Sequence, residues 1–288
     1  MKKKRYSIGE LSRLCNVSTK ALRFYDSLGL ISSLRNGENN YRTYTHDDLL
    51  TVLILKYYKQ MGFKLEEMKE FLSGTEGGAT ENMRVAFDRK IAELQKAQAE
   101  LRHCEQSVLD WNALITEAML VREADAREVS VKYVEPRVFL FQDQTFDGDI
   151  KSSIINVEFA NYVEKTGNAI TGPVYIQYAS LEDRIARVPQ SMRIMQDFLR
   201  PGGEGNFTTF GGCMMASCYH IGPLESIPQT YPRICQWADR HGYSIGTDCC
   251  ERYIADYWTG ENTHLHVAEL RVKVQRKDLT QLTHKGRI

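Results

Sequence analysis

The chain has 288 residues, 42% of them hydrophobic, and its 37 Lys and Arg balance 37 Asp and Glu. That balance excludes a protein that is basic throughout, so attraction for a polyanion has to come from a local concentration of charge. Seven cysteines, at positions 15, 104, 213, 218, 235, 249 and 250, are odd in number and scattered, without the paired short spacing of a structural zinc site; with no signal-peptide pattern and no transmembrane run, the expectation is a reduced, cytoplasmic protein with no membrane partner.

The local concentration lies at the start. Residues 1–45 hold nine Lys or Arg against three acids, a net of +6. Within them Ser7 and Glu10 form a capping-box signal, followed by Ile8, Leu11 and Leu14 at helical spacing, which predicts a helix over 8–15. Asn16, Val17 and Ser18 interrupt it, and Ser18 is an N-cap for a second helix over 19–28 that Gly29 ends. On this second helix Ala21, Phe24 and Leu28 fall on one side and Lys20, Arg23 and Ser27 on another, one face for packing and one for an anion. Asn36-Gly37 is a turn signal whose flanks predict a small hairpin. Thr45 and Asp48 make another capping-box pair, opening a third helix over 46–61, and Gly62 precedes a fourth over 65–72. Helix, break, basic helix and hairpin describe an all-α winged helix-turn-helix over 1–75, with double-stranded DNA as its partner.

The run 6–31, from Tyr-Ser-Ile-Gly-Glu-Leu to Ser-Leu-Gly-Leu-Ile, with Asn40-Tyr41-Arg42-Thr43-Tyr44 behind it, resembles the MerR family of transcription regulators over about the first 120 residues. The resemblance implies that Ser18, Lys20, Arg23 and Tyr25 meet the major groove and its flanking phosphates, and that Asn40, Tyr41 and Arg42 lie on the wing.

Phe87, Leu94, Leu101, Val108 and Ile115 then recur every seven residues, with Ile91, Trp111 and Ala118 in the intermediate seam and Gln98 and Glu105 interrupting it. This predicts a long coiled-coil helix over 80–122, preceded by a flexible loop over 73–79. Its apolar stripe needs a partner, either the C-terminal part of the same chain or a second copy. The MerR resemblance implies the second, an antiparallel homodimer facing a palindromic operator.

From Val129 the pattern changes to short β-like runs, at 137–142, 174–178, 213–221 and 267–274, which predicts an α+β domain over 129–288. Tyr162-Val-Glu-Lys-Thr-Gly-Asn-Ala-Ile170 matches Trp237-Ala-Asp-Arg-His-Gly-Tyr-Ser-Ile245 at a constant offset of 75, and the same offset relates Tyr178 to Tyr253 and Ile176 to Glu251. We read a duplicated, pseudo-two-fold domain with a cleft between its halves. The run 218–237, Cys-Tyr-His-Ile-Gly-Pro and onward, leading into Cys250-Glu-Arg-Tyr-Ile254, resembles the GyrI-like effector-binding domain. Joined to a MerR half, that resemblance implies a multidrug-sensing activator with lipophilic, often cationic, ligands.

A carboxylate at Glu251 on a central strand is costly to bury unless a cation pairs with it, so an empty site favours a positive ligand, and Tyr175, Tyr178, Tyr219, Tyr253, Tyr257 and Trp258 offer ring faces for cation–π contact. Two rival readings are a metal- or thiol-responsive MerR sensor using the cysteines, and a GyrI-like hydrolase in which Glu251 and a nearby Tyr act as general base. No catalytic residue, metal site or cofactor is expected. The MerR resemblance further implies activation by distorting promoter DNA for RNA polymerase, with the long helix linking effector and DNA domains.

Overall fold

The computed structural model describes residues 4–35, 41–73, 79–200 and 204–277. The Asn36-Gly37 turn, Asn40 and residues 74–78 of the expected loop lie outside the described residues. The chain divides into two compact units, Met1–Glu100 and Leu101–Ile288.

In the first unit, α1 (Ile8–Cys15) starts at the expected capping box. Ser7 Oγ accepts the Glu10 N–H at 3.3 Å and Glu10 Oε2 accepts the Ser7 N–H at 2.8 Å. Asn16 ends the helix in the left-handed region (φ 50°), where a short polar side chain is tolerated. Ser18 then caps α2 (Thr19–Ser27) by accepting the Ala21 N–H at 3.2 Å, an interaction worth about 1 kcal/mol. Short strands β1 (Tyr6–Ser7), β2 (Leu34–Arg35) and β3 (Arg42–Tyr44) form an antiparallel sheet in the order β1-β3-β2, so the hairpin is present. The Thr45–Asp48 capping box opens α3 (His46–Gln60), and α4 (Leu65–Ser73) follows. Leu11, Leu22, Tyr44, Val52, Leu55 and Met68 make the core. Each fully buried aliphatic side chain there contributes about 1.5–3 kcal/mol, which is what holds helices too short to stand alone.

The expected long helix is α5 (Ala79–Glu123). Ala86 and Phe87, near its start, join the core of the first unit. Leu114, Ala118 and Val121, near its end, are buried in the second unit against Ile254, Ala255 and Val267. Between them the heptad positions Ile91, Leu94, Leu101 and Val108 are exposed, Leu101 by 70% and Val108 by 68%. Of the stripe, self-packing covers Ala118 near the end and partly covers Phe87 at the start, and it leaves the middle and Ile115 exposed.

In the second unit the described residues form an eight-stranded, wholly antiparallel sheet. Its first half contains β5 (Arg137–Phe146), α6 (Ile150–Ile154), α7 (Val157–Lys165), β6 (Ile170–Tyr178), α8 (Leu181–Ala186) and β7 (Gln190–Phe198). Its second contains β9 (Cys213–Ile221), a 3-10 helix (Leu224–Gln229), α9 (Tyr231–Arg240), β10 (Tyr243–Ala255), a 3-10 turn (Thr263–Leu265) and β11 (Val267–Arg276). With edge strands β4 (Ser130–Val134) and β8 (Phe207–Phe210), the order is β4-β9-β11-β10-β6-β7-β5-β8. The matched nine-residue segments occupy the same place in each half, a helix end leading into a strand. Each turns through a glycine with positive φ, Gly167 at 67° and Gly242 at 74°, a conformation costly for side chains with a Cβ. In the central antiparallel pair Ile176 faces Glu251. Those two residues are related by the repeat offset itself, so the pseudo-two-fold axis passes through them.

Helices α6 to α9 cover one face of this sheet over Ile176, Ile194, Cys218, Cys249 and Leu270. The opposite face carries Tyr175, Met195, Met215 and Cys250, with the end of α5 over Tyr219 and Ile254. Cys249 and Cys250 accordingly point to opposite faces, as strand alternation requires.

Candidate functional site

On the first unit, Ser18, Lys20 and Arg23 are exposed along the start of α2, with the Ser18 hydroxyl engaged as the cap. Tyr41 is 74% exposed and Arg42 is exposed on β3. Arg42 Nε donates to Asp26 Oδ2 at 3.0 Å, and the same carboxylate accepts the Ser33 N–H and hydroxyl, which ties the hairpin to α2. Burial opposes the Asp26 charge, yet the Ser33 and Arg42 hydrogen bonds outweigh it and lower its pKa. Two positions differ from expectation, Tyr25 from what the MerR resemblance implies and Phe24 from the helical wheel. Tyr25, expected toward the groove, is 4% exposed in the core, whereas Phe24, expected to pack, is 51% exposed beside Arg23. The packing stripe centres on Leu22 and Tyr25, which share the core with Leu11 and Cys15 of α1 and Tyr44 of β3, and this rotates the stripe by a residue from the wheel drawn on α2 alone.

On the second unit, β10 brings Glu251 to the middle of the helix-covered face, where it is fully buried. It is not waiting for a cation. Arg184, projecting from α8 and 4% exposed, donates Nε to Oε1 at 2.8 Å and a terminal nitrogen to Oε2 at 3.1 Å. The Tyr231 hydroxyl donates to Oε1 at 3.0 Å and the Tyr253 hydroxyl to Oε2 at 2.5 Å. Two donors on each oxygen match the four acceptor positions of a carboxylate. The guanidinium carbon also stands 4.6 Å from the Tyr178 ring centroid and 5.1 Å from that of Phe146. Burial opposes the Arg184 charge, but Glu251 more than offsets it and raises the pKa above its ordinary value. Burial, reinforced by the Glu251 charge, likewise pushes Tyr178 and Tyr253 well up, so both stay neutral. The premise of an unpaired Glu251 is therefore corrected: the chain supplies its own cation. Arg184 lies outside every motif singled out in the sequence, and Tyr231, although inside the GyrI-like run 218–237, carries nothing there that marks it as a partner of Glu251.

The six expected aromatics divide. Tyr178 and Tyr253 surround Glu251. Tyr175 and Tyr219 lie on the opposite face, Tyr175 beside Phe139 and Arg271, and Tyr219 donating to Glu117 of α5 at 3.0 Å. Tyr257 donates to Glu225, and Trp258 is 57% exposed. That opposite face holds a second ionic cluster. Glu269, 1% exposed, lies 2.5 Å from Lys132, 2.7 Å from Arg271 and 3.4 Å from Arg252, while Arg252 grips Glu117 with two nitrogens at 2.7 Å. Burial raises the Glu269 pKa, but Arg271 and Lys132 dominate and lower it to about 2.

A cleft of about 150 Å³ opens between the end of α5 and the ends of β6 and β10. Its walls include Trp111 and Leu114 from α5, Pro173 and Val174 from β6, and Tyr253, Asp256 and Trp258 on and after β10. Trp111 and Trp258 border a volume of the size that holds a single aromatic ring, with Asp256 at its edge. Burial raises the Asp256 pKa against the Trp258 N–H that donates to it at 2.8 Å. Trp111, read in the sequence as a seam residue, is thus a cleft wall.

The model of the MerR HTH family regulatory protein matches residues 6–75, that of the MerR DNA-binding region residues 51–111, and that of the GyrI-like small molecule binding domain residues 127–275. The multidrug-efflux transporter 2 regulator of Bacillus subtilis (strain 168) is 26% identical over 260 residues, 88% of this chain and 90% of the relative. Heavy metal-dependent transcription regulator 2 of Rhizobium meliloti (strain 1021) is 34% identical over 107 residues, 34% of this chain and 72% of the relative. A chain of the cryo-EM structure of an EcmrR–DNA complex is 20% identical and covers 94% of this chain and 100% of its own length, with a TM-score of 0.45.

Proposed function

The chain belongs to the MerR family of DNA-binding transcription regulators and carries a GyrI-like effector domain, and on that premise we propose that it is a homodimeric activator switched by a lipophilic small molecule bound in the Trp111–Trp258 cleft. The observation that carries this reading is the composition of that cleft: two tryptophans, one supplied by α5, around a small and mostly apolar volume with Asp256 at its edge. A ligand stacked on Trp111 touches the helix that begins at Ala79, directly before the residues joining the DNA-binding core. Ligand binding that favours one arrangement of α5 over another shifts the dimer between two states, the condition for control. The multidrug name of the Bacillus subtilis relative agrees with an effector chosen by shape and aromaticity.

In this reading Ser18, Lys20, Arg23, Tyr41 and Arg42 face the operator, and the exposed seam Leu94, Leu101 and Val108 meets its counterpart on a second copy. RNA polymerase is the downstream partner, and promoter distortion is the means of activation. Catalysis is disfavoured because both Glu251 oxygens are already occupied by donors, leaving none free for a general base. Thiol sensing through the buried cysteines of the sheet is disfavoured because burial pushes Cys218 up to about 11 and raises Cys249 and Cys250 further, which suppresses the reactive thiolate.

The test is a thermal-shift screen of structurally diverse lipophilic compounds against the full chain and its Trp258→Ala variant, followed by operator footprinting with any hit. A hit that stabilises the parent, loses its effect in the variant and alters the footprint supports the proposal. A hit that stabilises both equally places the effector elsewhere.

A further inference from the structure

Arg184 sits where a cationic ligand would be expected to sit. Its guanidinium has a carboxylate in bidentate contact and the faces of Tyr178 and Phe146 within 5.1 Å, the combination by which proteins hold organic cations. We propose that Arg184 is a built-in ligand that permanently fills the cation subsite at Glu251, and that it thereby sets the charge specificity of the effector domain to neutral. The proposal rests on the cleft described above being the effector site.

Three features fix Arg184 in this role. Helix α8 is pinned at both ends, by Ser180 accepting the Asp183 N–H at its start and by Arg187 in the left-handed region (φ 60°) at its end. The side chain is buried, so leaving would strand both ions in a low-dielectric interior, at greater cost than any single surface contact returns. The cage is also electrically closed, with one positive charge, one negative charge and tyrosines that remain neutral.

Tyr253 connects the cage to the cleft. Its hydroxyl donates to Glu251 while the residue forms part of the cleft wall. A ligand in the cleft is therefore one tyrosine side chain away from Glu251, yet the charge of that carboxylate is already matched by Arg184. Removing the guanidinium while keeping the carboxylate would expose one unmatched negative charge to the cleft. At an effective dielectric of about 20, that is worth on the order of ten-fold in affinity for a monovalent cation.

The experiment uses the full chain and calorimetric titration with two probes of similar shape, tetraphenylphosphonium as the cation and triphenylphosphine oxide as the neutral compound. The wild-type protein is expected to bind the two within about three-fold of each other. Arg184→Met is expected to bind the cation on the order of ten-fold more tightly than wild type, with the neutral probe unchanged. Because Met leaves Glu251 without a counter-ion and that variant can lose its fold, the double variant Arg184→Met/Glu251→Gln, which removes both charges, is read beside it. It is expected to reproduce the wild-type ratio. A ten-fold weaker cation affinity in the double variant than in wild type would overturn the proposal, since Glu251 would then already serve the ligand. So would an Arg184→Met protein that folds and shows no gain. Loss of the neutral probe in Trp258→Ala is scored separately, because it tests the cleft and not the role of Arg184.

Discussion

Replacing Glu269 with Gln removes the carboxylate on which the ionic cluster facing α5 converges. Glu269 is 1% exposed, and Lys132, Arg271 and Arg252 surround it at 2.5, 2.7 and 3.4 Å. Its folded pKa is lowered from 4.5 to about 2, so its stabilisation is fully present above pH 4.5 and is lost as pH falls through 2. Integrating that shift gives about 3 kcal/mol at pH 7 and about 1 kcal/mol at pH 3. Glu269→Gln is thus expected to destabilise the second unit by about 3 kcal/mol at neutral pH, with a deficit that shrinks on acidification. Trp111, Trp237 and Trp258 all lie in that unit, so urea unfolding followed by tryptophan fluorescence reads it directly. A deficit of the same size at pH 7 and pH 3 would refute the electrostatic account and point to packing.

Leu101→Glu is expected to convert the protein from dimer to monomer in size-exclusion chromatography with light scattering, since Leu101 is 70% exposed at the middle of the seam; a variant that stays dimeric places the interface off α5. Arg23→Ala is expected to weaken operator binding about ten-fold and to reduce the slope of log affinity against log salt by about one. An unchanged slope in filter-binding titrations removes Arg23 from the phosphates. Asp197 presents the opposite sign to Glu269. Burial raises its pKa to about 6, only partly opposed by Arg137, so stability falls as pH rises from about 4 to 6. Asp197→Asn is therefore expected to stabilise the second unit at pH 7 by about 1–3 kcal/mol and to leave it unchanged near pH 4; urea midpoints at the two pH values decide it.

Local features were legible in the sequence because their causes are local. The capping boxes at Ser7–Glu10 and Thr45–Asp48, the N-cap at Ser18 and the long helix that the heptads predict all depend on residues within one or two turns of each other, and the structure reproduces them. The repeat at offset 75 also appears in the structure, because duplicated halves keep their helix-to-strand turns; that the equivalent positions Ile176 and Glu251 face each other is a matter of strand register, which the offset alone does not give. What failed on α2 was the direction of the apolar stripe. Phe24 and Tyr25 differ by one residue, and only the elements packed on α2, α1 foremost, decide which of them is covered.

The sequence by itself determined that this chain is a DNA-binding MerR half, a long helix and a duplicated GyrI-like half, and it singled out Glu251 as a carboxylate on a central strand. Only the tertiary structure decided what faces that carboxylate. Arg184 and Tyr231 reach Glu251 from positions 67 and 20 residues away in the chain, through two helices laid over one sheet face. Ion pairing in an interior depends on distances of a few ångströms between segments remote in sequence, and no spacing rule along the chain encodes them. The same holds for Trp111, whose place in a heptad gives a helix face, while the sheet packed beneath α5 makes it the wall of a cleft.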